Sequence, residues 1–369
     1  MQRTVKSILV LGAGSFGSCL ADHLGDSDHH VYLWSRSKEF CDHFNQHYRS
    51  IHQLKDHQFS THITAVGPQF PSQSLIDKID ILLFAIPTEG VRSNLAALKP
   101  LLNFERLPLL IFVNKGIEAS TQCMTLEIIA DELGPGVAKA ATFLSGPSFA
   151  KEIVRRQPTS VAIASLTLER AQKAAEVFHQ PWFRCYTSDD PIGVELAGAM
   201  KNVYAIVAGA AEGLGFENNT RASLITRALS EMTRVGKAYG ANPLTYLGLA
   251  GVGDLILTCS SPLSRNYTVG KRLAAGEKID DILKTLGSVA EGVATSKALK
   301  SVIEDLELDL PIANSVRRAD DFSVAFVYTG KDVKERAQWL MSLPSVPELD
   351  LPENELSEPV RRLRAKLGM

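Results

Sequence analysis

The chain has 369 residues, of which 45% are hydrophobic and 22% are charged, and its mean hydropathy is +0.01. This composition excludes a disordered chain and indicates a globular protein long enough for two domains. The formal net charge of -2, from 39 basic and 41 acidic residues, argues against nucleic acid or a membrane surface as the main partner.

The cysteines and the N-terminus indicate a reducing compartment. The five cysteines lie far apart, form no C-x-x-C pair and are odd in number, which argues against a disulfide framework. The first apolar run begins at Ile8, which leaves no room for a signal or transit peptide. We therefore expect a cytoplasmic protein.

Up to about residue 190, short apolar runs alternate with helical patterns. This alternation predicts an α/β, Rossmann-like dinucleotide-binding domain over residues 1–190, with a mostly parallel sheet and helices on both faces. The predicted strands are Ile8–Leu11, His30–Trp34, Asp80–Ile86, Leu109–Val113, Ala141–Leu144, Thr159–Ala164 and Phe183–Tyr186.

After Asp190 the sequence shows helical patterns broken by Gly and Pro turns. We predict an all-helical substrate-binding and catalytic domain over residues 191–343, followed by a Pro- and Glu-rich C-terminal arm with a terminal helix over residues 344–369. The stretch between Leu196 and Ala211 is too short for the ~20 apolar residues of a membrane span, and it is predicted to be a buried core helix. The Gly- and Ala-rich helical domain favours a homodimer.

The first predicted strand runs into the motif Gly12-Ala13-Gly14-Ser15-Phe16-Gly17. A G-x-G-x-x-G between a strand and a helix is typical of dinucleotide sites. Its glycines permit a tight turn and close backbone approach, and the helix N-terminus offers N–H groups to a pyrophosphate. In isolation such a motif is also compatible with a glycine-rich turn. Its position here predicts binding of NADP(H), NAD(H) or both.

The second predicted strand ends in Leu33-Trp34-Ser35-Arg36. A protein specialised for NAD usually places a carboxylate here against the ribose 2′-hydroxyl, and none is present. Arg36 suits a 2′-phosphate and can stack on adenine, which predicts that NADPH is accepted. An Arg36 that is merely solvated is the other open interpretation.

Lys201 is the only charged residue between Leu196 and Ala211, on a predicted helix whose Ala and Gly residues indicate close packing. Burial lowers the pKa of an ammonium, which suits a residue that exchanges a proton near neutral pH. We therefore predict that Lys201 is the proton-transfer residue. The alternative is a lysine whose stem carries its charge to the surface.

Further candidates lie at strand ends and in loops. Lys115 follows a predicted strand, and the segment 145–150 joins a strand to a helix, so both lie at the carboxyl edge of the sheet, where open α/β sheets bind ligands. In the helical half, Asp254 follows a Gly-rich turn, and Ser264-Arg265-Asn266 forms a basic, hydrogen-bonding cluster. Each segment alone is also compatible with a capped turn.

Taken in order, these segments resemble the NAD(P)-dependent glycerol-3-phosphate dehydrogenases. The resemblance extends to about residue 330, and an ordered series of motifs is more specific than any one of them. The matching segments are residues 12–17, 114–116, 144–151, 201–203, 213–222, 251–260, 264–266 and 289–292.

The resemblance implies hydride transfer with NAD(P)(H) that interconverts sn-glycerol 3-phosphate and dihydroxyacetone phosphate and feeds glycerophospholipid synthesis. Lys201 would accept a proton in oxidation and donate one in reduction, with Lys115 and Asp254 as further catalytic residues. The implied substrate-binding residues are Lys115, Gly146, Ser148, Lys201, Asp254, Ser264, Arg265 and Asn266. The implied cofactor-binding residues are Gly12, Gly14, Ser15, Phe16, Gly17, Arg36, Lys115, Ala150, Arg265, Val289 and Glu291.

The implied roles agree with the chemistry of the side chains. Asp254 would orient the Lys201 ammonium, and Arg265 with Asn266 would hold the substrate phosphate through charge-assisted hydrogen bonds. Two segments depart from the family pattern. The segment from His43 to His62 lacks a short Pro-Gly-containing loop, and the tail from Pro344 looks like an addition.

Eight of the nine histidines fall between His23 and His62, and His43 and His47 have the i, i+4 spacing of a metal-binding helix face. Without paired cysteines or clustered carboxylates nearby, a solvated surface stretch is the favoured interpretation, and we expect no metal.

Two other functions remain open from the residues alone. A β-hydroxyacid dehydrogenase would share the fold plan and a helix-borne lysine, but it would lack the Ser264-Arg265-Asn266 cluster. A catalytically silent NADPH-binding sensor or scaffold would have no need of Lys201.

Overall fold

The computed structural model describes residues 4–51, 53–287, 289–308, 310–315 and 358–369. The chain divides into two compact units. The first unit comprises Met1–Asn114, Ile128–Leu144 and Ser148–Pro191, and the second comprises Lys115–Glu127, Ser145–Pro147 and Ile192–Met369. Two short segments of the N-terminal half thus belong to the second unit. The division into domains at residues 190 and 343 stays a prediction, and the predicted extended stretch 344–357 lies outside the described residues.

The first unit is built on an eight-stranded sheet in the order β3-β2-β1-β4-β5-β6-β7-β8. The strand pairs β1–β2, β1–β4, β2–β3, β4–β5, β5–β6 and β7–β8 are all parallel. The strands are β1 Ser7–Leu11, β2 His30–Trp34, β3 Ile63–Val66, β4 Ile81–Phe84, β5 Leu109–Phe112, β6 Thr142–Ser145, β7 Thr159–Ala164 and β8 Phe183–Ser188.

Burial along the central strands shows that both faces of the sheet are covered. Successive strand residues point to opposite faces, and all four residues of β4 and of β5 are buried. The helices up to residue 190 are α1 Ser15–Gly25, α2 Lys38–His47, α3 Gln73–Ile76, α4 Val91–Leu98, α5 Thr125–Leu133, α6 Pro135–Ala140, α7 Ala150–Ile153 and α8 Leu168–Phe178. This architecture confirms the predicted fold class.

The seven predicted strands are all present, and the structure has one further strand, β3. This strand lies at the edge of the sheet, has four residues, and buries only Ile63 and Ala65. Such a short edge strand has no continuous apolar run, so its pattern is weak in the sequence.

From Pro191 onward, the described residues form helices and no strand, as predicted. The helices are α9 Pro191–Gly213, α10 Asn218–Ala238, α11 Asp254–Cys259, α12 Arg265–Ala274, α13 Ile279–Thr285, α14 Glu291–Asp305, α15 Pro311–Ser315 and α16 Glu358–Leu367. None of the helices in the described part of the chain combines the length and the hydropathy that a bilayer span demands.

Helix α9 is the buried centre of the second unit. It packs against α12 at very short range, because a Cβ at Gly209 would overlap the Tyr267 carbonyl and a Cβ at Gly270 would overlap the Ile206 carbonyl. Glycine at these two positions lets the two backbones touch. The predicted buried core helix is confirmed.

The carboxyl groups of Glu127 and Glu195 hold the segment Lys115–Glu127 in the second unit. Glu127 has no exposed surface, and it accepts hydrogen bonds from the Met124 N–H at 3.0 Å and from Arg362 Nε of α16 at 3.0 Å. Glu195 in the first turns of α9 accepts from the Leu126 N–H at 3.2 Å. Burial raises the pKa of Glu195 to about 8, and the charge of Glu127 adds to the rise.

We predict that Glu195 makes the protein less stable as the pH rises. A folded-state pKa of about 8 against an ordinary value of 4.5 means that the folded chain holds this proton more tightly than the unfolded chain. The free energy of unfolding therefore falls between these two pH values. Glu195→Gln should match the wild-type Tm at pH 4 and exceed it at pH 9. The expected gain is about 2–4 °C for each kcal/mol of unfolding free energy that the wild type loses on deprotonation of Glu195.

Circular dichroism melts at the two pH values measure this difference. Glu169→Gln is the control, because the exposed Glu169 has a pKa lowered by its hydrogen bond to Lys173 and should give no gain at pH 9. A Tm difference for Glu195→Gln that is the same at pH 4 and pH 9 would contradict the prediction.

Candidate active site

The turn after β1 forms an open cradle of backbone in the first unit. Gly12 has a φ of +114°, and a Cβ there would lie 2.5 Å from the Ala85 carbonyl oxygen, while a Cβ at Gly17 would overlap the Gly12 carbonyl. At Gly14, nothing lies within 4 Å of the Cβ position. Helix α1 begins at Ser15, and the first N–H groups of a helix have no intrahelical partner. These residues fit the pyrophosphate of a dinucleotide.

Arg36 lies beside this cradle. The Gly12 N–H donates to the Trp34 carbonyl at 3.2 Å, which places the end of β2 next to the glycine-rich turn. Arg36 follows two residues after β2, and it is exposed. A guanidinium at this edge is available to the ribose end of a dinucleotide.

Three other predicted residues lie in the first unit. Phe16 is half-buried and packs against the hydrophobic core. Ala150 is the first residue of α7, and Ser148 lies two residues before it. Phe16 is therefore held by the core, while Ser148 and Ala150 lie at a helix start.

In the second unit, two lysines share one buried carboxylate. Asp254 is 1% exposed. Its Oδ1 accepts a hydrogen bond from Lys201 Nζ at 2.6 Å, and its Oδ2 accepts one from Lys115 Nζ at 2.7 Å. Lys201 Nζ also donates to Thr258 Oγ1 at 2.8 Å, and Lys115 Nζ donates to the Gly146 carbonyl at 3.3 Å. The structure thus brings together four of the predicted site residues.

Local backbone geometry places these side chains. Asp254 is the first residue of α11, directly after the stretch Leu249–Gly253, in which Gly251 has non-helical dihedral angles. Thr258 lies one turn further on α11, on the same face as Asp254. At Gly198 of α9, a Cβ would lie 3.3 Å from Lys115 Cγ, so the missing side chain leaves room for the lysine stem.

Burial and charge set the protonation of this cluster. Burial lowers the pKa of Lys201 to about 8, the charge of Lys115 lowers it further, and Asp254 opposes the shift. Burial alone would raise the pKa of Asp254, but the two ammonium groups outweigh it and hold this pKa below its ordinary value. Near neutral pH, Asp254 is therefore a carboxylate, and Lys201 is poised to give up a proton.

Asn202 and Asn266 form a chain of hydrogen bonds that begins at the backbone of Lys115. Asn202 Nδ2 donates to the Lys115 carbonyl at 2.9 Å. Asn266 Nδ2 donates to Asn202 Oδ1 at 3.0 Å, and Asn266 Oδ1 accepts from the Gly292 N–H at 3.0 Å. Both ends of the Asn266 amide are therefore engaged in holding α9, α12 and α14 together.

The remaining predicted residues lie at helix starts and in a loop of the second unit. Ser264 caps α12, because its side chain accepts a hydrogen bond from the backbone N–H three residues on at 3.3 Å. Arg265 is the first residue of α12 and is exposed. Glu291 is the first residue of α14, and its Oε2 accepts from the Lys115 N–H at 3.4 Å. Val289 is 51% exposed and precedes α14.

Thr258 and Asn202 are site residues that the sequence did not predict. Both contact the lysine cluster, since Thr258 accepts from Lys201 and Asn202 donates to the Lys115 carbonyl. Thr258 has a signal in the sequence, because it stands four residues after Asp254 and so shares its helix face. The role of Asn202 depends on a contact between distant parts of the chain, which no local spacing reveals.

The histidine pair does not extend into a metal-ligand set within the described residues. The rings of His43 and His47 lie 4.7 Å apart on α2. Among the residues that the structure describes, no group of three or more His, Cys, Asp and Glu side chains is placed to hold a metal ion.

Family sequence profiles match most of the chain. The profile for the NAD-dependent glycerol-3-phosphate dehydrogenase N-terminus matches residues 7–171, and the profile for the C-terminus matches residues 190–320. The chain belongs to this family. The match covers both the glycine-rich cradle and the lysine cluster.

Members of this family are similar to the chain over nearly their whole lengths. Glycerol-3-phosphate dehydrogenase (NAD(P)+) 1 of Lactobacillus delbrueckii subsp. bulgaricus is 38% identical, over 94% of this chain and 99% of that protein. The Geobacillus kaustophilus protein called glycerol-3-phosphate dehydrogenase (NAD(P)+) is 39% identical, over 96% and 99%. The crystal structure of glycerol-3-phosphate dehydrogenase from Coxiella burnetii superposes with a TM-score of 0.83 at 29% identity, over 92% of this chain and 99% of that one.

We predict that Lys201 titrates near pH 8 in the folded chain and that Asp254→Asn moves this midpoint down. Replacing the carboxylate by an amide removes the negative charge that stabilises the ammonium, while burial and the charge of Lys115 remain. The 13Cε shift of Lys201, assigned by its loss in Lys201→Met, reports the titration. A midpoint near 10.5, the ordinary lysine value, would contradict the prediction.

Proposed function

We propose that Lys201 is the acid–base residue of the hydride transfer catalysed by this enzyme. As a member of its family, the chain is an NAD(P)-dependent oxidoreductase that interconverts sn-glycerol 3-phosphate and dihydroxyacetone phosphate. When bound, the nicotinamide accepts or supplies the hydride at substrate C2. The observation that carries the proposal is the buried Lys201 ammonium, whose pKa is lowered to about 8 and whose position is fixed by Asp254 and Thr258.

Lys201 would transfer a proton in both directions of the reaction. In oxidation, the C2 hydroxyl gives its proton to neutral Lys201 as the C2–H bond gives up hydride. In reduction, the Lys201 ammonium returns a proton to the C2 oxygen. Asp254 and Thr258 hold Nζ in place through hydrogen bonds at 2.6 and 2.8 Å. These two hydrogen bonds would hold Nζ in one position during the proton transfer.

Lys115 supplies a fixed positive charge beside the proton-transfer residue. Its Nζ is bonded to Asp254, and its backbone is bonded to Asn202 and Glu291. A charge held in this way stabilises the oxyanion that develops at substrate C2. We therefore place Lys115 with Lys201 and Asp254 in the catalytic group.

The N-terminus of α12 is the proposed phosphate site. Ser264 caps the helix, and the exposed Arg265 guanidinium can bind a phosphate through paired charge-assisted hydrogen bonds. Asn266 would bind the phosphate with Arg265, through its backbone N–H at the helix start or through the Nδ2 hydrogen that Asn202 does not accept. Gly146 and Ser148 complete the proposed substrate residues.

The glycine-rich turn is the proposed site of the dinucleotide. Gly12, Gly14 and Gly17 open the backbone, and the α1 N-terminus offers N–H groups to the pyrophosphate. The other proposed cofactor residues are Ser15, Phe16, Arg36, Lys115, Ala150, Arg265, Val289 and Glu291.

The wider role completes the proposal. The proposed organisation is a dinucleotide-binding domain over residues 1–190, a helical catalytic domain over 191–343 and an arm over 344–369. The product sn-glycerol 3-phosphate would supply glycerophospholipid synthesis from a homodimeric, cytoplasmic enzyme. Sedimentation of a monomer would contradict the dimer, and recovery of the protein outside the cytoplasmic fraction would contradict the location.

Oxidation of NADPH or NADH with dihydroxyacetone phosphate as the only acceptor tests the function. We expect the wild type to consume the reduced nicotinamide and Lys201→Met to turn over roughly 10²–10⁴-fold more slowly. Because the pKa of Lys201 is about 8, the rate of reduction should fall above that pH, and the rate of glycerol 3-phosphate oxidation should rise towards it.

Lys237→Met is the control for this assay, because Lys237 lies in the last turn of α10 and does not belong to the lysine cluster. Fluorescence titration with NADPH shows whether Lys201→Met still binds cofactor. Near-normal turnover of Lys201→Met would remove Lys201 from its role. Binding of NADPH by the wild type without any turnover would instead support a sensor.

Cofactor preference is expected to depend on Arg36. If the guanidinium binds the 2′-phosphate, Arg36→Ala should lower the ratio of kcat/KM for NADPH to that for NADH by about 10-fold or more, the value of a charge-assisted hydrogen bond. The exposed Arg106 of the same unit provides a control, since Arg106→Ala should leave the ratio unchanged. An unchanged ratio in Arg36→Ala would support the interpretation of a solvated arginine.

A further inference from the structure

The first N–H group of helix α1 has a side-chain partner from a distant part of the chain. Ser15 is the first residue of α1, and its N–H donates to Gln53 Oε1 at 2.7 Å. The residue before it, Gly14, has no side chain to cap the helix. Gln53 therefore supplies an acceptor to one of the N–H groups at the helix start that have no partner within the helix.

Gln53 lies in a segment that contacts α1 at two places, which we call the strap and define as residues 48–51 and 53–60. One end of the strap is fixed in the core, because Phe59 is 2% exposed, its ring centroid lies 5.3 Å from that of Phe44, and its N–H donates to the Tyr48 carbonyl at 2.9 Å. This is the part of the chain in which the sequence departs from the family pattern.

A second anchor joins the strap to α1 itself. His57 Nε2 lies 2.6 Å from Asp22 Oδ2, and the Ser60 N–H donates to Asp22 Oδ1 at 2.8 Å. Asp22 is 5% exposed. From Asp22 to Ser15, α1 extends about 10 Å, at ~1.5 Å per residue. The strap thus spans this length of the helix and brings the Gln53 amide to its N-terminus.

The Ser15 N–H belongs to the same group of donors that the proposed cofactor site offers to a pyrophosphate. One N–H makes one strong hydrogen bond, so Gln53 and a phosphate oxygen at this position compete for it. We propose that Gln53 is a displaceable cap on the Ser15 N–H that weakens dinucleotide binding and is released when the pyrophosphate takes its place. This inference rests on the cofactor site proposed above.

The size of the effect follows from the kind of bond. A neutral hydrogen bond that must be broken before the ligand binds corresponds to about 2- to 10-fold in affinity. A carboxylate in place of the amide would bind the N–H more strongly at a helix N-terminus and would repel the pyrophosphate. The amide of Gln53 is therefore a weak competitor, which a dinucleotide can displace.

Three substitutions in the full-length chain test the competition. Gln53→Met keeps the length of the side chain and removes the acceptor, so it should lower the Kd for NADPH and for NADH by about 2- to 10-fold. Gln53→Glu should raise both Kd values by more than about 10-fold. Gln58→Met is the matched control within the strap, because Gln58 Nε2 donates to the His47 and Tyr48 carbonyls, and its Kd values should equal those of the wild type.

Isothermal titration calorimetry without substrate gives the Kd values, and thermal melts give an independent readout. Without dinucleotide, Gln53→Met should melt slightly below the wild type because α1 loses a cap, and saturating NADPH should raise its Tm by more than it raises that of the wild type. If Gln53→Met does not fold, Gln53→Ala serves as the second variant, with the same expected direction.

The outcomes separate this inference from the proposed function. Equal or weaker dinucleotide binding in Gln53→Met would overturn the inference and leave the catalytic proposal intact. Tighter binding in Gln53→Met together with no turnover of dihydroxyacetone phosphate would support the inference and overturn the catalytic proposal. A wild-type chain that binds neither NADPH nor NADH would overturn both.

Discussion

The bridge that Asp254 makes between two ammonium groups is the interaction on which the lysine cluster depends. A buried lysine without a partner would lose its proton or its place, and here one carboxylate holds both Lys115 and Lys201. With Lys201 protonated, the cluster carries a net positive charge, and with Lys201 neutral, it carries none. The buried environment therefore favours loss of that proton, while the hydrogen bonds from Asp254 and Thr258 keep Nζ in position.

The rest of the second unit keeps this bridge rigid. The amides of Asn202 and Asn266 connect the Lys115 backbone to helices α9, α12 and α14. Glycines at the contact between α9 and α12 let the backbones of these two helices touch. Lys115 begins the segment Lys115–Glu127. At the end of this segment, Glu127 accepts a hydrogen bond from Arg362 of the C-terminal helix α16. Lys115 comes early in the chain, yet these contacts make it part of the helical unit.

In the first unit, the proposed dinucleotide site consists mainly of backbone N–H groups. The glycine-rich turn exposes N–H groups, and the chain must give them partners whenever no anion is bound. Gln53 does this for Ser15 by means of the strap, at the cost of competing with a phosphate oxygen. Affinity for a dinucleotide is thus a balance between an internal acceptor and an external one.

Much of this protein is determined by local sequence. Apolar runs predict seven of the eight strands, the G-x-G-x-x-G turn predicts the cradle, and the lone charge in an apolar helix predicts that Lys201 is buried. Each of these patterns lies within one short segment of the sequence. Short edge strand β3, the amide of Asn202 and the cap from Gln53 depend on packing between distant segments. Only the tertiary structure decides these, because a hydrogen bond across 38 positions, such as that of Gln53, leaves no periodicity in the sequence.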